Sequence, residues 1–162
     1  MSVKWAIKTI IRDLQYLCNL SLYALTQQKV SAKPQVRYSR EGALSPNHAK
    51  PICLFCSYDN KSIVRQNVYH YLKQLALAGF DIVFISSSDT ISDADLQKLA
   101  GHCIRIISRE NKGYDFYGWK TGLEQYPQYH SNSGMLLAND SVLWTLFDFS
   151  DIIARLENCD AD

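Results

Sequence analysis

From residue 51 onward, short unbroken apolar runs alternate with amphipathic stretches, a pattern that few folds can accommodate. Apolar runs at Ile52–Ser57, Asp81–Ser86, 103–108 and 135–138 read as strands, and the segments 62–78, 92–100, Tyr114–Gln125 and 146–156 between and after them read as helices. Strands that are apolar at every position are buried on both faces, and connections long enough to hold a helix join parallel strands. The pattern therefore predicts an α/β fold, a Rossmann-like parallel sheet with helices on both faces. Gly79 is placed to end the first of these helices, and Ser92 with Asp95 to begin the second. An apolar strand is also due after residue 156, where the chain has only the polar run 157–162, so the domain is expected to be truncated at its C-terminus.

Upstream of residue 51 the character changes. Trp5, Ile7, Ile10, Ile11, Leu14, Leu17, Cys18, Leu22 and Leu25 recur at helical spacing, with Lys4, Lys8, Arg12 and Gln15 on much of the opposite side. Charges at Lys8, Arg12 and Asp13 interrupt the apolar run too early for a transmembrane span or a signal peptide, so residues 1–25 are expected to form an amphipathic helix. Its stripe packs either on protein or on an anionic bilayer, to which the basic face and Trp5 are suited. Residues 26–50, with Pro34, Gly42, Pro46 and several Ser and Gln, have the composition of a linker.

Net charge of +1 hides an asymmetry: residues 1–50 carry 8 Lys/Arg against 2 acids, net +6, while 51–162 carry 9 against 14, net −5. An acidic folded part argues against nucleic acid as a partner. The 5 cysteines, an odd number without metal spacing, fit free thiols in a reducing compartment, hence a cytoplasmic location that extends to the inner face of the membrane if the helix is an anchor. Cys53 and Cys56 form a C-x-x-C, but three positions apart on a strand they point to opposite faces, which disfavours a shared metal or a redox pair.

Chemistry-bearing residues gather where the strands are expected to end. Tyr58 and Asp59 follow the first strand, Asp89 the second, and Arg109 and Asn111 the third; Asn139 and Asp140 follow the fourth. In open α/β sheets that edge is where ligands bind. Between the third and fourth strands, Gly113, Gly118 and Gly122 allow close backbone approach, interleaved with Tyr114, Asp115, Phe116, Tyr117, Trp119 and Lys120. Each of these residues has a plainer use. Asp140 either binds a ligand or closes a turn, Asp89 either accepts hydrogen bonds from a nucleotide or orders a loop, and the aromatic residues either stack on sugar or fill the core.

Taken in order, Ser57-Tyr58-Asp59, Ser86-Ser87-Ser88-Asp89, Arg109, the glycine-bearing segment 111–122 and Leu136-Leu137-Ala138-Asn139-Asp140-Ser141-Val142 resemble the rhamnan synthesis protein F family of bacterial glycosyltransferases. The resemblance covers residues 51–162 and implies the nucleotide-sugar-binding half of a GT-A-like domain. It implies a rhamnosyltransferase-like enzyme of cell-surface polysaccharide or lipopolysaccharide synthesis. The donor would be a nucleoside-diphosphate sugar, dTDP-rhamnose among the candidates, and the acceptor a glycan or lipid-linked glycan. Tyr58, Asp59, Asp89, Arg109, Asn111, Gly113, Tyr114, Asp115 and Lys120 are then the nucleotide-sugar-binding candidates, and Asp140, with Asn139, the candidate ligand of Mg²⁺ or Mn²⁺. Metal-dependent GT-A enzymes carry D-x-D, whereas Asn139-Asp140-Ser141 offers one carboxylate. Lys112, Lys120 and Arg109 are the alternative means of neutralising a diphosphate. Catalytic residues are not assignable, and a non-catalytic binding module remains the competing class.

Overall fold

Two runs of six residues, Ile52–Ser57 (β2) and Asp81–Ser86 (β3), are buried at every position, which makes them the centre of the sheet. A computed structural model describes residues 15–18, 21–22, 35–131, 134–142, 151 and 154–155. The chain divides into two compact units, Met1–Lys33 and Pro34–Asp162. In the first, residues 15–18 and 21–22 are helical and exposed, and the rest of the expected helix 1–25 lies outside the described residues. None of the described helices is long and apolar enough to cross a membrane.

The second unit holds a five-stranded sheet ordered β1-β4-β3-β2-β5, with β1 at Val36–Glu41, β4 at Arg105–Arg109 and β5 at Met135–Asn139. β2, β3, β4 and β5 are mutually parallel and β1 runs antiparallel to β4. Helices α1 (Gln66–Leu77), α2 (Asp93–Ala100) and α3 (Tyr114–Gln125) connect the parallel strands, and a 3-10 turn at Pro127–Ser131 follows α3. The alternation of side chains along the strands separates two cores. Cys53, Phe55, Ile82 and Phe84 face α1 and α2, where they meet Val68, Leu72, Leu75 and Leu99. Ile52, Leu54, Cys56, Val83 and Ile85 face the other way and pack with Tyr126, Tyr129 and the half-buried Trp119 and Leu123. Cys53 and Cys56 thus point into different cores.

Two steps in one direction, β2 to β3 to β4, followed by a jump back across the sheet to β5 account for this division. Right-handed connections put helices of opposite stepping direction on opposite faces. Helices therefore cover both faces of a Rossmann-like sheet. Local signals act where they were expected. Ser92 accepts a hydrogen bond from the Asp95 amide at the start of α2, and Gly79 follows α1 with φ +89°.

The linker expected over 26–50 is corrected at residues 36–41, which form β1. As an edge strand β1 has one partner, and a register shift between Val36 and Tyr38 turns them to opposite faces, Val36 to the α3-side core and Tyr38 to the other, while Arg37, Ser39, Arg40 and Glu41 stay exposed. That composition mimics a linker. Beyond β1, the amides of Gly42, Ala43 and Leu44 are bonded to Ile104, Ala100 and Cys103, so this stretch too is laced to the domain. The expected helix 146–156 falls largely outside the described residues, of which Asp151, Ala154 and Arg155 are helical.

Candidate functional site

Between β2 and β5 the strand order reverses, and in open α/β sheets the crevice at the carboxyl ends of such a strand pair is the ligand-binding place. Here it is a cleft of about 420 Å³ lined by Tyr58, Asp59, Ile63, Arg65, Asn67, Val68, Asp140 and Ser141.

Asp140 is placed by register. Cys56 stands opposite Asn139, so the residues after them, Ser57 and Asp140, face each other at the sheet edge. The Ser57 hydroxyl donates to Asp140 Oδ2 at 2.7 Å, and the Tyr58 amide donates to the same oxygen at 3.0 Å. Among the described residues both bonds fall on one oxygen of the carboxylate, and the other meets none of them. Asn139 is used at both ends: its Nδ2 donates to Asp115 Oδ2 at 2.8 Å and its Oδ1 accepts from the Ser141 amide at 3.3 Å. It ties the start of α3 to the end of β5.

Asp59 organises the loop from β2 to α1. Its Oδ1 accepts from the amides of Lys61 and Ile63, and its Oδ2 from Arg65 Nε at 3.2 Å and Nη2 at 3.0 Å. The Lys61 amide first, and then Arg65, hold its carboxyl below the usual range. Its own amide donates to Ser88 Oγ at 2.9 Å, linking the ends of β2 and β3. Tyr58 and Ile63, each about half exposed, supply apolar surface at the cleft.

The remaining candidates take different places along the same edge. Arg109 is fully buried, donating to Ser87 Oγ at 3.3 Å and to the Lys112 carbonyl, while its Nε has no partner among the described residues. It positions the loop before α3. Asp89, in the loop between β3 and α2, is exposed and pairs with Arg37 at 3.6 Å, Asn111 is exposed in the loop between β4 and α3, and Lys120 pairs with Glu124 along α3 at 3.6 Å. Gly113 caps α3 at φ +74°, where a Cβ would lie 1.9 Å from the Tyr117 ring, and Tyr114 follows, exposed, at φ +51°. Tyr58, Asp59 and Asp140 are therefore brought together in the cleft, Asp115 joins them through Asn139, and Asp89, Asn111 and Lys120 are not among its lining residues. Arg65 and Asn67 line the cleft although nothing in the sequence singles them out, because only the folded loop returns them to the strand ends.

Among the described residues no group of three or more His, Cys, Asp or Glu side chains is arranged to hold a metal. Asp140 offers one carboxylate oxygen, which suits Mg²⁺ bound by one or two carboxylates plus substrate phosphates better than a cation needing a full protein cage. Cys56 is no nucleophile: burial, then the nearby Asp115 carboxylate, push its thiol well up, with Asp140 adding to the effect.

An open, mostly parallel sheet with helices on both faces defines a Rossmann-like α/β domain, with a cleft at its switch point. Residues 82–162 match the family described as rhamnan synthesis protein F, and the chain belongs to that family. Over 98 residues, 60% of the chain, it is 28% identical to the uncharacterized protein y4gN of Sinorhizobium fredii (strain NBRC 101917 / NGR234), and that match spans 25% of the relative's length. No solved structure matches the chain.

Proposed function

We propose that this chain forms the donor-binding half of a glycosyltransferase in bacterial cell-surface polysaccharide synthesis, taking a nucleoside-diphosphate sugar, with dTDP-rhamnose the first candidate. The observation that carries the proposal is the cleft at the β2–β5 switch point, where Asp140, bonded through only one carboxylate oxygen among the described residues, faces exposed aromatic and apolar surface from Tyr58 and Ile63. Tyr58 would stack on a flat ring. Asp140 would accept from a sugar or ribose hydroxyl, or hold Mg²⁺ or Mn²⁺ together with the donor phosphates; such a cation, when bound, offsets charge on the departing diphosphate. Arg65, 71% exposed beside its bond to Asp59, would meet phosphate oxygens. Asp115, through Asn139, keeps the end of β5 in register with the start of α3. The acceptor, a glycan or lipid-linked glycan, would approach at the cytoplasmic membrane face.

Thermal unfolding of the chain with a panel of nucleoside-diphosphate sugars, each with and without Mg²⁺, tests this. A true donor at 100 times its dissociation constant stabilises by about 2.7 kcal/mol. Asp140→Asn, which keeps an oxygen for Ser57 and Tyr58 and loses the charge, is expected to remove that stabilisation. No response to any donor at millimolar concentration would reject the reading in favour of a non-catalytic module.

A further inference from the structure

One residue of the cleft breaks the pattern of the helix that carries it. On α1 the side chains turned to the sheet, Val68, Tyr71, Leu72 and Leu75, are apolar and buried. Asn67 precedes Tyr71 by four residues and Leu75 by eight, so it continues their stripe toward the carboxyl ends of the strands. Such a position calls for an apolar side chain. Asn67 is polar and half-buried, and its side-chain amide has no partner among the described residues. It opens instead into the cleft, beside Tyr58, Ile63 and Val68. Asp59, by contrast, has both carboxylate oxygens engaged, one by the amides of Lys61 and Ile63 and the other by Arg65. The α1 wall therefore presents a ligand with apolar surface and one uncharged group that both donates and accepts.

The geometry points to Asn67 as the residue that reads the base of the donor nucleotide, by pairing with the imide edge of a thymine or uracil, an inference that rests on the donor-binding reading above. Asn67 Oδ1 accepts from the ring N3–H while Nδ2 donates to a neighbouring ring carbonyl. Carbonyls flank N3 on both sides, so the ring pairs in either orientation. The ring lies against Tyr58, and Ile63 and Val68 meet its C5 side, where thymine carries a methyl group. A purine in the same place turns the nitrogens of its second ring toward Ile63 and Val68, which offer them no hydrogen bond. Asp140 and Ser141, on the β5 wall, are left for the sugar and phosphates.

Calorimetric titration of the full chain with dTDP, its N3-methyl derivative and ADP tests this, in the parent, Asn67→Ala and Asn67→Leu. Leucine completes the apolar stripe of α1, so this variant keeps the fold even where alanine weakens it. Two hydrogen bonds lost together correspond to about a tenfold change in affinity. The parent is expected to bind dTDP about tenfold more tightly than the N3-methyl derivative and more tightly than ADP. Both variants should bind dTDP about tenfold more weakly than the parent and no longer distinguish it from the N3-methyl derivative. N3-methylation that weakens the parent and the variants equally, or none of them, would overturn the inference, as would ADP binding to the parent as tightly as dTDP. Asp140→Asn separates the two readings. Binding of dTDP that Asp140→Asn abolishes but N3-methylation leaves unchanged would keep the donor cleft and remove Asn67 from base recognition, and a parent that binds no dTDP would overturn both.

Discussion

Gly118→Ala should destabilise the domain, although in an exposed helix the same change stabilises. α3 lies so close to the sheet that a Cβ at Gly118 would sit 2.4 Å from Cys56 Sγ and 3.7 Å from Ile85 Cγ2. Ordinary contact is about 3.5–4.0 Å, so the helix or the strand must yield by more than about 1 Å. Overpacking of this kind costs about 1–3 kcal/mol, and with Cys56 itself buried the upper end applies. Replacing a helical glycine by alanine returns about 1 kcal/mol. The net loss is about 2 kcal/mol, or roughly 4–8 °C in Tm at about 2–4 °C per kcal/mol for a chain of this size. Because Cys56 Sγ also donates to the Asp115 carbonyl, the shift should loosen the link from Asp115 to Asn139 as well. Urea unfolding of Gly118→Ala, Cys56→Ala and the double variant provides the assay. Removing the sulfur should relieve most of the clash, giving a coupling of about 2 kcal/mol between the sites. A stabilised Gly118→Ala, or strictly additive changes, would refute the close approach of α3 to β2.

Acid should release the loop that Asp59 organises. Its folded pKa lies below the unfolded value, so its contribution is complete above about pH 4 and is lost as pH falls through the lowered folded value; amide exchange at Lys61 and Ile63 should accelerate over that range, and Asp59→Asn should abolish the acid dependence. Trp119→Phe removes the indole bond to Ala138 and is expected to cost about 1 kcal/mol in urea unfolding, with an unchanged Tm arguing that the bond adds nothing. The chain, with a net charge of +6 in residues 1–50, should sediment with anionic vesicles and be released by salt, and equal sedimentation after deletion of residues 1–28 would exclude the N-terminal helix as the anchor.

Central strands were legible because burial on both faces leaves no polar position to confuse the period: β2, β3 and α3 begin and end where the apolar pattern does. β1 was not, since this edge strand turns only Val36 and Tyr38 inward, one to each face across a register shift, and two apolar residues among charges do not distinguish a strand from a tether. The candidate site divides along the same line. That Tyr58, Asp59 and Asp140 follow strand ends could be read from the sequence, and parallel pairing then carries all three to one edge. What each side chain does there depends on partners far along the chain. Asp140 meets Ser57 across 83 residues, and the Asp59 amide meets Ser88 across 29. Arg109 has the charge of a phosphate ligand, yet at the last position of a buried strand its guanidinium is spent on Ser87 and Lys112. The first strand's partner also alters what Asp140 should do when removed. With two hydrogen bonds to Ser57 and Tyr58, truncation to Ala carries a structural cost of about 1–3 kcal/mol, which is why Asn is the cleaner probe of binding.

Amide chemical-shift mapping of the full chain during titration with dTDP-rhamnose and other nucleoside-diphosphate sugars tests the central claim most directly. Saturable shifts should concentrate at Tyr58, Asp59, Asn67, Asp140 and Ser141, around the cleft between β2 and β5, and should vanish in Asp140→Asn while the rest of the spectrum is preserved. Shifts confined to the opposite edge of the sheet, near Asp81 and Tyr129, or undiminished in Asp140→Asn, would contradict it.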